Sequence, residues 1–206
     1  MKKIFGLIII LNAFVFSVQA QDAQSIIDNA VTRVQNSKGV TVSFSLTQKD
    51  KLGHVVNSSK GILKAKGTKY YIKQEGNEIF CNGIQIWNYD GQNEVTVTKA
   101  DYDDDDLSPQ QILTGFNKKN FTASLLSSAS GVYQIQLMPV DKRKNFKQVI
   151  LFINKTTGLV TKAVITDKRD NIVDISFGNT SLNVIIPDNQ FVFEPAKHPG
   201  VEVVNQ

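Results

Sequence analysis

The chain has 206 residues, of which 41% are hydrophobic and 20% are charged, and its formal net charge is +4. This length is enough for one domain with a substantial core, and so small a net charge argues against the basic surface of a nucleic-acid-binding protein. The single cysteine, Cys81, excludes an internal disulfide, and its place within an apolar run predicts a small buried residue rather than a reactive thiol.

The N-terminus has the order of a secretory signal peptide. A basic start, Met1–Lys3, precedes a largely apolar run, Ile4–Phe16, and Val18 and Ala20 supply small residues where a signal peptidase reads them. The apolar run is about 13 residues long, which is short of the roughly 20 that a transmembrane helix needs. We predict cleavage after Ala20, export of the chain, and a single domain over residues 21–206 with a net charge of +2.

The first element of the exported chain is predicted to be an amphipathic helix from Asp22 to Lys38. Gly39 follows at the position that a helix C-terminus favours. Its apolar residues recur at helical spacing and form one stripe: Ile26, Ile27, Ala30, Val31 and Val34. We therefore expect this helix to lie against an apolar surface.

After Gly39 the apolar period changes to about two, which is typical of strands. Short turns separate about ten antiparallel strands, which indicates one large curved sheet or an incomplete barrel. The predicted strands outside residues 77–89 are 40–48, 61–66, 68–74, 94–100, 120–126, 132–139, 146–154, 159–167 and 171–177.

The sequence CNGIQIWNYD, residues 81–90, contains the Asn-Gly pair that most strongly indicates a hairpin. A two-residue turn at Asn82 and Gly83 would pair Phe80 with Gln85. The hairpin would then be apolar on both faces, with Phe80, Trp87 and Tyr89 on one and Ile79, Cys81, Ile84 and Ile86 on the other. We expect the aromatic face to point inward, because so much aromatic surface is costly to leave in water, and the isoleucine face to pack elsewhere, for instance under the C-terminal residues.

A short helix is predicted in mid-chain, over residues 109–116. Ser108 is a good N-cap, and Pro109 suits the first helical position. Ile112, Leu113 and Phe116 would share one face. Together with the N-terminal helix, this element could cover the concave side of the sheet.

Catalytic and metal-binding signatures are missing from the sequence. His54 and His198 belong to no nucleophile motif, and one cysteine with two distant histidines makes a poor metal site. The acidic run Asp103–Asp106 could attract calcium but lacks the spacing of an EF-hand loop, so a solvated loop before the helix is favoured. We predict no catalytic residues, no metal, no cofactor and no enzymatic activity.

The order of several motifs resembles the periplasmic outer-membrane lipoprotein carrier family, LolA-like. These are Gly61 opening a strand, N-G-x-x-I-W-x-Y at Asn82–Tyr89, S-P-x-x-I-L at Ser108–Leu113, and F-x-F-x-P followed by G-V-x-V over Phe191–Val203. Each motif is weak alone, and it is their order over essentially the whole exported chain that carries the resemblance.

The resemblance implies an α+β fold that is mainly β, with an unclosed barrel capped by an N-terminal helix and a short lid helix. It implies a monomeric periplasmic carrier that shields the acyl chains of lipoproteins in an apolar cavity. The implied partners are acylated lipoproteins, an inner-membrane lipoprotein-releasing ABC transporter and an outer-membrane acceptor. A sensor of lipoproteins or lipids on the same fold, without shuttling, is the alternative, and a purely structural β-protein is a third.

The sequence departs from the family pattern at the lid latch. Where the family has an Arg-Pro step, this chain reads Gly67-Thr68, so Lys66 and Lys69 become the candidates for holding the lid shut. Tyr71 falls where the family has an aromatic residue near the cavity mouth. The complete set of expected cavity residues is Leu63, Tyr71, Phe80, Trp87, Tyr89, Ile112, Leu113 and Phe116, with their inward or outward orientation dependent on strand parity.

Overall fold

The structure, a computed structural model, describes residues 8–100, 107–115 and 118–206. Its first helix is α1 (Ile8–Gln35), and six strands follow. They are β1 (Val40–Lys49), β2 (Val55–Lys66), β3 (Lys69–Gln74), β4 (Asn77–Cys81), β5 (Gln85–Tyr89) and β6 (Glu94–Lys99).

The second half of the chain begins with the short helix α2 (Pro109–Thr114). Six more strands follow: β7 (Phe121–Ser127), β8 (Val132–Pro139), β9 (Phe146–Asn154), β10 (Val160–Asp167), β11 (Ile172–Leu182) and β12 (Glu202–Asn205). Three-residue and four-residue 3₁₀ turns occupy Lys118–Asn120, Asp188–Phe191 and Pro195–Lys197.

The described strands form a single unclosed sheet of twelve, in the order β12-β6-β5-β4-β3-β2-β1-β11-β10-β9-β8-β7. The predicted architecture of a large sheet with two helices is confirmed. The expectation of purely antiparallel pairing is wrong in one place, because β12 runs parallel to β6. The chain reaches that position through a long C-terminal crossover rather than through a hairpin.

The inner face of the sheet carries the main hydrophobic core. Cross-strand partners share a face, so Leu46 on β1, Ile175 on β11 and Ala163 on β10 form one apolar row. The predicted helical stripe packs against this face, with Ile27, Ala30 and Val34 of α1 buried, and α2 adds buried Ile112 and Leu113. The two helices therefore cover the same face of the sheet.

A second, smaller core lies on the outer face, where the C-terminal residues cross β3 to β6. Ile186, Phe191 and Phe193 come from this crossover, and they pack on Tyr71 and Phe80. We call residues 184–201 the C-terminal strap. Since the strap supplies an apolar cover on the outer face of the sheet, β3 to β5 can be apolar on both faces.

The hairpin of β4 and β5 differs in register from the predicted one. Phe80 pairs with Trp87 and Cys81 with Ile86, so the turn is two residues longer than expected. The cause is the Asn82 side chain, whose oxygen accepts hydrogen bonds from the main-chain N–H groups of Ile84 and Gln85, both at 2.9 Å. A shift of two residues preserves strand parity, and Cys81 is buried as predicted.

Candidate functional site

A pocket of about 630 Å³ opens between the inner face of the sheet and the N-terminal end of α2. Its floor is apolar and comes from β1, β9, β10 and β11, and the loop between β8 and β9 forms one rim. The lining residues are Leu46, Leu107, Ser108, Pro109, Asp141, Arg143, Lys144, Asn145, Phe146, Ile165, Val173 and Ile175.

Strand alternation builds the floor of this pocket. Leu46 on β1 pairs with Ile175 on β11. The next inward-facing pair joins β10 to β11, where Ile165 pairs with Val173. Because side chains alternate between faces, β10 and β11 present an apolar residue here at every second position. A volume of this size falls within the range of small-molecule and cofactor pockets, which are mostly apolar with a few polar groups.

The cover of the pocket is α2. Ser108 caps this helix through a capping box, in which its hydroxyl accepts from the Gln111 main-chain N–H and the Gln111 side chain accepts from the Ser108 N–H. The other end is tied to α1, since Gln35 donates to the main-chain oxygen of Thr114 at 2.8 Å. The helix is therefore closed at its N-terminus by its own side chains and held at its C-terminus by α1.

The polar rim of the pocket carries an ion pair between Asp141 and Arg143, whose opposite charges cancel. Arg143 donates to both carboxylate oxygens of Asp141, at 2.7 to 3.1 Å. These hydrogen bonds, reinforced by the Arg143 main-chain N–H and by the nearby positive charges, lower the pKa of Asp141 to about 2. The carboxylate therefore remains charged and paired at neutral pH, and the mouth of the pocket stays polar above an apolar floor.

The predicted orientation of the aromatic residues is wrong. Tyr71, Phe80, Trp87 and Tyr89 belong to the outer cluster under the strap, on the face opposite α1 and α2. Ile79, expected outside, packs against the inner core, and Ile84 lies exposed in the turn. The reason is that the strap buries outer aromatic surface, so burial of aromatic residues does not identify the inner face here.

Lys66 and Lys69 do not reach the lid. Both ammonium groups bind the carboxylate of Asp188 in the strap, each at 2.8 Å, and Lys64 donates to Gln190 at 2.8 Å. The hydrogen bonds and charges of the two lysines lower the pKa of Asp188 to about 2. The expectation that these lysines latch the lid is therefore wrong, and they fasten the strap to the outer face instead.

Tyr71 has a polar partner at the edge of the outer cluster. Its hydroxyl donates to Glu78 at 2.6 Å, and burial together with this neighbour raises the pKa of Tyr71. Burial also opposes ionisation of Glu78, but hydrogen bonds from Tyr71 and Lys73 outweigh it and lower the pKa of Glu78. The arrangement keeps Tyr71 neutral and fixes its ring under the strap.

The other residues that were expected to line the cavity fall into two groups, those in the inner core and one that the structure does not describe. Leu63, Ile112 and Leu113 are buried in the inner core, beneath or within the lid, whereas Phe116 lies outside the described residues, as do Asp103–Asp106. The residues that floor the pocket were missed by sequence reasoning: Leu46, Phe146, Ile165, Val173 and Ile175. In the sequence these residues are marked by the alternation of apolar residues in the second half of the sheet. The same alternation is expected for a fully packed core, so it does not identify a pocket.

In the part of the chain that the structure describes, no three His, Cys, Asp or Glu side chains come together as a metal site would need. Within the same residues, no helix has both the length and the apolar character that crossing a membrane requires.

A family model described as "Outer membrane lipoprotein carrier protein LolA" matches residues 35–194, which include the floor of the pocket, the lid and most of the strap. The chain belongs to the LolA family. The resemblance drawn from the order of short motifs is thereby confirmed.

Two relatives in this family carry the name outer-membrane lipoprotein carrier protein. The one from Nitrosospira multiformis is 26% identical over 180 residues, covering 84% of this chain and 85% of its own length. The one from Francisella tularensis is 24% identical over 211 residues, covering 96% and 99%. Family membership and these names support a carrier role of the LolA type.

A solved structure shares the fold. An uncharacterised conserved protein from Thermus thermophilus superposes with a TM-score of 0.63 at 13% identity, covering 90% of this chain and all of that one. At this identity the likeness speaks to the fold of the sheet and its helices.

Proposed function

We propose that this LolA-family chain is a periplasmic carrier that holds the acyl chains of lipoproteins in the pocket under α2. The observation that carries the proposal is a pocket of about 630 Å³ with an apolar floor, which lies beneath a short helix that Gln35 ties to α1 by a hydrogen bond. No covalent step is needed for this role, which fits a chain whose motifs suggest no catalysis.

Shielding of acyl chains is the physical task of such a carrier. Each methylene removed from water contributes about 0.8 kcal/mol, so lipoproteins with long acyl chains do not cross an aqueous space unaided. Leu46, Ile165, Val173 and Ile175 would contact the chains first. Movement of α2 away from the sheet would extend this contact to the buried residues Leu63, Ile112 and Leu113.

Release matters as much as binding. A tightly packed cavity would retain its cargo, whereas a pocket covered by a six-residue helix can exchange packed and open states at modest cost. We propose that an inner-membrane lipoprotein-releasing ABC transporter loads the carrier and that an outer-membrane acceptor unloads it. The predicted signal peptide, cleaved after Ala20, would bring the carrier to the periplasm.

A direct test is complex formation with an acylated lipoprotein. The purified exported chain, residues 21–206, is mixed with a detergent-solubilised lipoprotein, the detergent is removed, and the mixture is separated by size-exclusion chromatography. We expect a soluble complex with the acylated form and none with a form whose acylated cysteine is replaced by serine. Aggregation of the acylated lipoprotein with no complex would contradict the proposal.

Two substitutions at neighbouring positions test whether the pocket itself is the binding site. Val173 lines the pocket, and Ile172 precedes it on β11 and faces outward. We expect Val173→Trp to fill the pocket and weaken complex formation, and Ile172→Trp to leave it unchanged. Equal effects of the two substitutions would remove the pocket from the mechanism.

A further inference from the structure

The hairpin of β1 and β2 extends beyond its neighbour β3. β2 pairs with β1 from Val55 opposite Lys49 to Ala65 opposite Val40, with a register shift at Val56. It pairs with β3 only from Gly61 onward, because β3 ends at Gln74 opposite Gly61. Residues 55–60 therefore have no strand beside them on that side in the described part of the chain, and we call them the free edge of β2.

The free edge is accessible over most of its length. Val55 and Val56 are 61% and 64% exposed, and Asn57, Ser58 and Lys60 are exposed as well. Ser59 is buried and its hydroxyl accepts from the Gln74 side chain at 2.7 Å. Exposed edges usually carry proline, a bulge or several charges that prevent pairing. The free edge has a register shift at Val56 and one charge at Lys60, whereas residues 57–59 between them are asparagine and two serines in regular pairing with β1.

The free edge lies beside the mouth of the pocket. Ser59 is the direct partner of Leu46, which lines the pocket floor. Neighbouring strands are about 4.8 Å apart, so a chain added to β2 would run about 10 Å from β1. An extended peptide covers that distance in about three residues. A peptide whose first residue is anchored at the pocket can therefore reach the free edge.

Resting on the proposed function, we infer that the free edge of β2 binds the extended peptide that follows the acylated residue of the cargo lipoprotein. The peptide adds one strand to the sheet through main-chain hydrogen bonds, as in other complexes formed by strand addition. Val55 and Val56 cover part of its side chains. Since the short polar residues Asn57 and Ser58 impose little selection, the edge accepts cargo of different sequence.

The test compares four ligands that share one acyl chain. The first is the acyl amide alone, and the second carries a six-residue peptide. The third and fourth carry the same peptide methylated at one or the other set of alternate backbone nitrogens, so that each has one edge that cannot pair. Competition against a fluorescent fatty acid gives the dissociation constants. We expect the peptide to tighten binding about tenfold, the worth of two or three main-chain hydrogen bonds, and methylation on the pairing edge to abolish the gain.

A measurement on the unaltered chain locates the peptide. Amide hydrogen exchange of residues 55–60 should slow in the presence of the acylated peptide and stay unchanged with the acyl amide. Equal affinities of the acyl amide, the peptide and both methylated registers would overturn the inference, as would slowed exchange elsewhere with none at the free edge.

Two substitutions test the edge itself. Main-chain N–H groups alternate in direction along a strand, so of Asn57→Pro and Ser58→Pro one removes an N–H facing β1 and the other removes one facing the free edge. The variant with the unchanged melting temperature is the free-edge variant, and it should bind the acyl amide normally while losing the gain from the peptide. A retained gain in that variant would contradict the inference.

The two proposals fail in different ways. If the acyl amide does not bind at all, the proposed carrier function fails and the free edge has no anchored cargo to receive. If the acyl amide binds but the peptide adds nothing, the carrier function stands and the inference about the free edge is wrong.

Discussion

Gln35 donates its side-chain amide to the main-chain oxygen of Thr114 at 2.8 Å and so joins the end of α1 to the end of α2. The adjoining Gly115 lies against Val31 so closely that an added Cβ would come within 2.8 Å of a Val31 methyl group. The C-terminal end of α2 is thus held against α1, whereas its N-terminal end borders the pocket. We expect the lid to open from the N-terminal end.

Replacement of Gln35 should loosen the lid. In Gln35→Leu the hydrogen bond to Thr114 is lost, and since one exposed hydrogen bond contributes about 0.5–1.5 kcal/mol, a bound fluorescent fatty acid should dissociate about two to ten times faster. Stopped-flow displacement measures this rate. Gln24→Leu is the matched control, because the Gln24 side chain donates to Asp28 within α1 and so does not tie α1 to α2 among the described residues. A rate unchanged in Gln35→Leu, or equally raised in the control, would argue against the tether.

Gly115 should tolerate no side chain. Its φ of 106° and ψ of 157° lie in a region that is essentially restricted to glycine, at a cost of about 1–3 kcal/mol for other residues. Gly115→Ala should lower the free energy of unfolding in urea by about that amount, and added Val31→Ala should recover part of the loss by making room for the new methyl group. Gly178→Ala is the control, since its Cβ would meet only the Ser43 hydroxyl at an ordinary 3.5 Å.

Lys66 and Lys69 should affect the strap and leave the lid unchanged. Lys66→Ala and Lys69→Ala each remove one of the two ammonium groups that hold Asp188. We expect faster amide hydrogen exchange in residues 184–193 and an unchanged rate of fatty-acid release. Faster release without faster exchange in the strap would restore these lysines to the role predicted from the sequence.

The strap should respond to acid. The pKa of Asp188 falls from 3.8 to about 2 in the folded chain, so its stabilising effect is fully present above the unfolded value and is lost as the pH falls from about 4 towards 2. The difference in unfolding free energy between the unaltered chain and Asp188→Asn should therefore be largest near neutral pH and vanish below about pH 2. It should shrink in 1 M salt, which screens exposed pairs. A difference independent of pH would contradict the ion pair.

Local signals in the sequence predicted the helices well. The stripe of Ile27, Ala30 and Val34 fixes the buried side of α1, and Ser108 with Pro109 starts α2. The family was recognisable because Asn82–Tyr89 and the motif beginning at Phe191 are contiguous in the sequence. Such features depend on residues within one or two turns of each other.

Long-range contacts explain the errors. The sequence around Phe80 and Trp87 does not show which face of the sheet these residues occupy, because the outer face is covered by the strap, which follows about a hundred residues later. Lys66 and Lys69 find Asp188 across a similar separation. Residues 55–60 were not predicted as strand, because they pair with β1 alone and their polar sequence lacks apolar alternation. Neighbouring residues in the sequence were enough to predict which helices and most of the strands form. What packs over each face of the sheet depends on residues that are far away in the sequence.

Binding of acyl chains on the inner face beneath α2 can be measured by photolabelling with a diazirine-bearing fatty acid and mapping of the labelled peptides. We expect label on the residues of the pocket, namely Leu46, Leu107, Ile165, Val173 and Ile175, and competition by unlabelled fatty acid. Label concentrated on Tyr71, Phe80 and Phe193 of the outer cluster, or label that unlabelled fatty acid does not displace, would contradict it.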